Sequence, residues 1–217
     1  MKTTLYSLPL LLLAGTFLYA QPPAGTSTIC DRFAQSDAIF SGTAENAWMN
    51  LLDTGKMPVH RRKEKSKAVR FLVREWFKGA REESVQVWMT PGDCALRIEA
   101  GETYLVYVKI NKDKSRFETN ACQGTKDIGA AASDLSYLTA AQLGPDHATR
   151  VSGIAGTAAG VNVQAKSGID TRYAITDGTG RFTYDGLAAA DWSFSVNGGP
   201  AKALHVAPCS CADLPLQ

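Results

Sequence analysis

The stretch AVRFLVREWFKG, residues 68–79, alternates with the period of a half-buried strand: Val69, Phe71 and Val73 fall on one face, Arg70 and Arg74 on the other. Val85, Val87 and Met89 repeat that alternation. So do Tyr104, Val106, Val108 and Ile110, with Lys109 turned outward. Working outward, residues 37–43 supply one more strand candidate before these, and residues 116–119 a short last one. At residues 133–143 the period changes, because Leu135 and Leu138 share a helical face and Gly144-Pro145 then stops the helix. Five strands and one closing helix predict a small closed barrel.

After Gly144-Pro145-Asp146 the composition moves toward Gly, Ala and Thr, and short strands follow closely. Val161, Val163 and Ala165 alternate with Asn162, Gln164 and Lys166, while Trp192, Phe194 and Val196 alternate with Ser193 and Ser195. Asp177-Gly178-Thr179-Gly180 separates residues 173–176 from 181–184 with hairpin turn chemistry, since Gly accepts positive φ. Asp185-Gly186 marks the next turn. This half reads as a sandwich, marginal alone and expected to lean on its neighbour. The whole is therefore an all-β chain, and its 45% hydrophobic content excludes disorder throughout.

Four motifs carry a resemblance: CDRFAQSDAIFSGTA at 30–44, AVRFLVREWFKG at 68–79, GETYLVYVKI at 101–110 and TNACQGT at 119–125. Together they resemble a netrin-type module, the OB-like barrel shared with tissue inhibitors of metalloproteinases. The second half, GIAGTAAGVNVQAKSG through TDGTGRFTYDGLAAADWSFSV, is similar to the prealbumin-like sandwich of carboxypeptidase regulatory-like domains. The resemblance implies an OB-like five-stranded barrel with a short helix over residues 30–144, followed by a small prealbumin-like β-sandwich over 145–217. One departure matters. In the inhibitors a mature N-terminal Cys-x-Cys reaches the target's zinc, whereas here the first mature cysteine is Cys30, so that device is missing.

Residues 1–20 read as an export signal, with Lys2, an apolar run from Leu8 and the small Ala20; residues 21–29 then form an N-terminal segment. No later segment approaches a membrane span, and the expected location is secreted or periplasmic. In that setting Cys30, Cys94, Cys122, Cys209 and Cys211 are expected to form disulfides, with one left over and a connectivity that spacing does not give. In the netrin-like resemblance, Cys94 and Cys122 occupy positions that normally receive the N-terminal Cys-x-Cys. Two solutions follow: Cys94 bonds Cys122 directly, or Cys209-Ser210-Cys211 folds back and replaces the missing pair, stapling the two domains. A metal site at that Cys-x-Cys has only His205 nearby, and zinc wants four ligands.

Net charge is +2, from 23 Lys+Arg against 21 Asp+Glu, which argues against a wholesale nucleic-acid binder. The charge is unevenly placed. Lys56, Arg61, Arg62, Lys63, Lys65, Lys67, Arg70 and Arg74 crowd one stretch against Glu64 alone. The core of this run, residues 60–67, is expected in the loop joining the first two barrel strands, where it either keeps the chain soluble or meets an acidic protein, a polyanionic glycan or an anionic membrane. No aromatics interleave it as base-stacking requires, and Trp48 and Trp76 are expected to cap the core.

Signs of catalysis are missing from the sequence. His60, His147 and His205 belong to no H-E-x-x-H helix, and neither a G-x-S-x-G elbow nor a phosphate loop occurs. The Gly-rich run at 153–160 reads as a strand with its turn, and Asp170, Asp177 and Asp185 as turn carboxylates too far apart for one calcium loop. A Lys to Asn crosslink would need a lysine in the first sandwich strand, and residues 151–156 hold none. The expectation is an exported non-enzymatic binding protein without cofactor or metal, engaging a protein or polyanionic partner through residues such as Arg61, Arg62, Lys63, Lys65 and Lys67. A metalloprotease inhibitor and a structural accessory of the cell envelope are the alternatives.

Overall fold

A computed structural model describes residues 27–48, 67–79, 81–90 and 94–216. The export signal and Arg61, Arg62, Lys63 and Lys65 lie outside the described residues; Lys67 is the first residue of a strand. The chain enters through a helix, α1 (Ile29–Gln35). It is fixed by a capping box: the Thr28 hydroxyl accepts from the Asp31 N–H at 3.2 Å, and the Asp31 carboxylate accepts from the Thr28 N–H at 2.9 Å. The sequence predicts a single helix at residues 133–143, and α1 adds one whose seven residues are too few to show an apolar period.

Strands β1 (Ala38–Trp48), β2 (Lys67–Lys78), β3 (Ser84–Met89), β4 (Thr103–Asn111) and β5 (Arg116–Thr119) follow. Their order is β1-β2-β3-β5-β4, and β4 pairs back onto β1, so the five close into a barrel. All neighbours are antiparallel except β3 and β5. The short β6 (Lys126–Asp127) adds beside β4, and α2 (Ala132–Ala141) comes after it.

The alternation read from the sequence holds for Val69, Phe71, Val85, Val87 and Met89, which fill the barrel with Phe40, Tyr104, Val106 and Val108. Two departures have physical causes. The β1–β2 register shifts between Ser41 and Gly42, whose partners are Glu75 and Val73, and this bulge changes the parity of β2 beyond Arg74. Trp76 then packs on Phe40 inside, at 5.0 Å between ring centroids, while Phe77 joins the outer cluster under the helices. On β4, Leu105 and Tyr107 are as buried as their neighbours, because α1 and α2 cover that face. Ile110, expected inside, is 45% exposed at the strand's end.

From residue 150 the chain builds two facing sheets. The strands are β7 (Arg150–Ile154), β8 (Asn162–Ser167), β9 (Asp170–Ile175), β10 (Arg181–Asp185), β11 (Ala190–Val196), β12 (Lys202–Val206) and β13 (Cys211–Asp213). One sheet runs β10-β7-β13 and the other β12-β11-β8-β9. Val151, Val163, Ala165, Phe182, Tyr184, Trp192 and Phe194 form the core between them. The buried Tyr184 hydroxyl donates to the Val163 carbonyl and the Trp192 indole N–H to Ala188, so neither ring carries an unsatisfied polar tip.

Barrel and sandwich are joined by more than the chain. Arg150 makes a two-point pair with Asp185 (2.7 and 2.9 Å), donates to the Ser133 hydroxyl of α2 at 3.0 Å and lies over the Tyr137 ring. Asp185, read as a turn carboxylate, is thus the anchor of this clamp. Gly186 (φ 74°) comes so close to α2 that a Cβ there would stand 2.8 Å from that of Ala140. Cys30 of α1 is bonded to Cys211 of β13.

Candidate ligand-binding cleft in the barrel wall

The barrel wall has a weak seam at the four-residue β5, which pairs over three positions with β4 as well as with β3. The parallel partners β3 and β5 pair over only three positions, Val87 with Phe117 through Met89 with Thr119. Before those positions the two strands part, since β5 begins directly after the β4–β5 turn while β3 already runs from Ser84. A cleft of about 660 Å³ opens there. Val85, Ile110 and Phe117 line it from the side of the barrel core, and Gln86, Trp88 and Arg116 from the outer face. Glu82, Lys112 and Ser115 form the rim.

Two interactions fix the geometry of its wall. The Arg116 guanidinium lies 4.5 Å from the Trp88 ring centroid and is paired with Glu118 at 2.6 Å. Asn111 also donates to Glu118, at 3.0 Å. Burial works against the Glu118 carboxylate, but the hydrogen bonds from Asn111 and Arg116 and the nearby Arg116 and Lys114 charges outweigh it and hold its carboxyl below the usual range. Arg116 is therefore a shelf more than a free charge. The accessible charge beside the cleft comes from the exposed Lys109, Lys112 and Lys114, against Asp113 and Glu82. Such an arrangement of an aromatic, a partly exposed aliphatic floor and lysines at and beside the rim suits retention of an acidic or aromatic-bearing segment, and among the described lining residues no nucleophile is hydrogen-bonded to a base.

The residues singled out in the sequence are distributed as follows. The basic run 60–67 falls in the connection between β1 and β2, outside the described residues apart from Lys67. Cys94 is bonded directly to Cys122, and the Cys209-Ser210-Cys211 segment does fold back, but onto Cys30. Cys209 is the exposed free thiol. His147 contacts the Gly186 carbonyl and His205 contacts Asp191, and neither lines the cleft. Asp177 accepts from Thr179 and Arg181 within its own turn, and the Thr179 hydroxyl first, then those backbone N–H groups, hold its carboxyl below the usual range. Sequence reading missed the cleft residues Trp88, Ile110, Lys112 and Arg116. The β4–β5 pairing that joins three of them was legible as a hairpin, but the parallel β3–β5 contact that brings in Trp88 was not.

Among the described residues, no group of three or more His, Cys, Asp or Glu lies close enough to hold a metal ion, and no helix is long and apolar enough to cross a membrane. Two disulfides fit an oxidising, extracytoplasmic environment. No protein-family model matches the chain, and no curated protein matches it significantly.

Proposed function

We propose that the chain is a secreted or periplasmic, non-enzymatic binding protein whose barrel, read as a netrin-like OB module, holds an acidic protein segment or polyanionic partner. The attached sandwich is read as prealbumin-like. The observation that carries this reading is the seam cleft, where Trp88, Ile110 and Phe117 offer apolar surface beside Lys112 and Lys114. The basic run of residues 56–67 adds charge from the β1–β2 connection, and like charges within a Debye length act together on an approaching anion. Inhibition of a metalloprotease by an N-terminal amino group and carbonyl placed on its zinc is not part of this reading, since Cys30 lies inside α1 behind the Thr28 cap and its nitrogen is a helical amide.

Salt-gradient elution from immobilised heparin tests the reading. Two variants are needed: one with Arg61, Arg62, Lys63 and Lys65 changed to Gln, and one with Lys112→Gln and Lys114→Gln. Both are expected to elute at lower salt than the wild type, with a flatter salt dependence and unchanged melting temperature, because exposed charges contribute little to stability. Elution identical to the wild type for both variants would overturn the proposal.

A further inference from the structure

The outer face of the four-stranded sheet carries a row of amide, hydroxyl and aromatic side chains. Val163 and Ala165 of β8 point into the core, so Asn162, Gln164 and Lys166 point out. The register sets Ile175, Tyr173 and Thr171 of β9 opposite these three, and Ser195 of β11 opposite Gln164. Tyr173 is 62% exposed, and its hydroxyl accepts from Gln164 Nε2 at 3.1 Å, which holds the ring in place. Beside the first residue of β8 stands the Asn197-Gly198 turn that follows β11. Both residues have positive φ (49° and 74°), the turn is closed by Gly199 N–H to the Val196 carbonyl at 2.8 Å, and it is tied to β8 by Asn197 N–H to the Asn162 carbonyl at 3.0 Å. Asn162, Gln164, Tyr173, Asn197 and Gly198 enclose a shallow pocket of about 130 Å³.

We propose that this pocket is a glycan subsite that seats one pyranose ring of a neutral polysaccharide. A sugar ring has an apolar face of C–H groups and an equator of hydroxyls that both donate and accept. The exposed Tyr173 ring offers a flat partner for the first, and three side-chain amides, each donor and acceptor in one plane, match the second. No carboxylate, ammonium or guanidinium lines the pocket, so nothing in it rewards an ionised ligand. The phenol is hydrogen-bonded to Gln164 and the turn is closed by two backbone hydrogen bonds, which lowers the freedom lost on binding. Ile175 and Thr171 continue the same row about 7 Å to either side of Tyr173, two strand residues away, which gives neighbouring sugars of a chain further surface. The site lies on the sandwich and does not rest on the barrel reading.

Affinity electrophoresis of the mature protein decides the matter, in gels cast with mixed-linkage β-glucan, xylan, galactomannan or soluble starch, with alginate as the anionic comparison. Retardation in at least one neutral gel is expected. Tyr173→Ala should weaken it about tenfold or more, the worth of one aromatic stack, and Asn162→Ala should weaken it independently, while Thr183→Ala, exposed on the other sheet, leaves it unchanged. Both pocket side chains are exposed, so the variants should melt as the wild type does. Free migration through every neutral gel, retardation by alginate alone, or a Tyr173→Ala protein retarded like the wild type would each overturn the proposal.

Discussion

Asp134 is 5% exposed and accepts from the Tyr107 hydroxyl at 2.9 Å, from Lys126 at 3.0 Å and from Arg32 at 3.3 Å. One carboxylate thus joins α1, β4, β6 and α2. Asp134→Ala would leave the Tyr107 hydroxyl buried without an acceptor and two cations without their counter-charge, for an expected loss of about 2–4 kcal/mol in urea unfolding. Asp134→Asn keeps an acceptor for Tyr107 and should cost less, so the difference between the two variants separates hydrogen bond from charge. Burial also acts on two other phenols. It raises Tyr184, and it raises Tyr137 with further help from Cys209 and Asp185 against Arg150, each from 10.0 to about 12. The folded protein therefore keeps these two protons, and that of the buried Tyr107, where the unfolded chain would release them. Their stabilisation is complete below pH 10 and is lost as pH rises from there, that of Tyr184 and Tyr137 toward about 12. Unfolding measured at pH 9, 10 and 11 should show that decline, and Tyr184→Phe, less stable at pH 9, should show a shallower one.

At the scale of elements, what could be read in the sequence was whatever a single strand decides by itself. Val69, Phe71 and Val73 announce β2, but nothing in the sequence marks the bulge at Arg74 after which Trp76 turns inward and Phe77 outward. Continuous burial along β4 depends on two helices folding over it, so a pattern of period two understated it. The capping box Thr28-x-x-Asp31 is the legible signal for α1, a helix too short to show an apolar period. β13 is three residues long and pairs in parallel with a strand some sixty positions earlier, a contact that no local pattern encodes. The cleft was illegible for the same reason, because Trp88 meets Arg116 only through a parallel pairing. Gly153, on the β7 strand beside β13, makes the dependence of β13 on close approach testable. A Cβ on Gly153 would drive into the Leu214 carbonyl and meet the Phe182 ring at 2.9 Å. Gly153→Ala is expected to cost about 1–3 kcal/mol by overpacking, measured by thermal melting, whereas Gly178→Ala, with open space around its Cβ position, serves as the control.

At the scale of the whole molecule, the barrel and the sandwich are held as one body by links of different kinds. The Arg150 clamp joins α2 to the Asp185 turn, the Tyr137 hydroxyl donates to the Ala148 carbonyl at 2.9 Å, and the Cys30–Cys211 bond spans 181 residues where Cys94–Cys122 spans 28. In the chain-entropy account the longer closure restrains the unfolded chain more, by about 1.5 kcal/mol between these two loops. Cys30→Ser with Cys211→Ser should accordingly lower stability more than Cys94→Ser with Cys122→Ser. All these variants need Cys209→Ser as background, since its exposed thiol could otherwise re-pair with a cysteine left behind. Calorimetry then separates stability from coupling. The wild type should unfold in one transition, and adding Arg150→Ala to the variant without Cys30–Cys211 should split it into two, because the barrel and the sandwich each keep their own core. A single transition in that variant would assign the coupling to the close packing of Gly186 on Ala140 instead, and Gly186→Ala in the same background should then be what divides it.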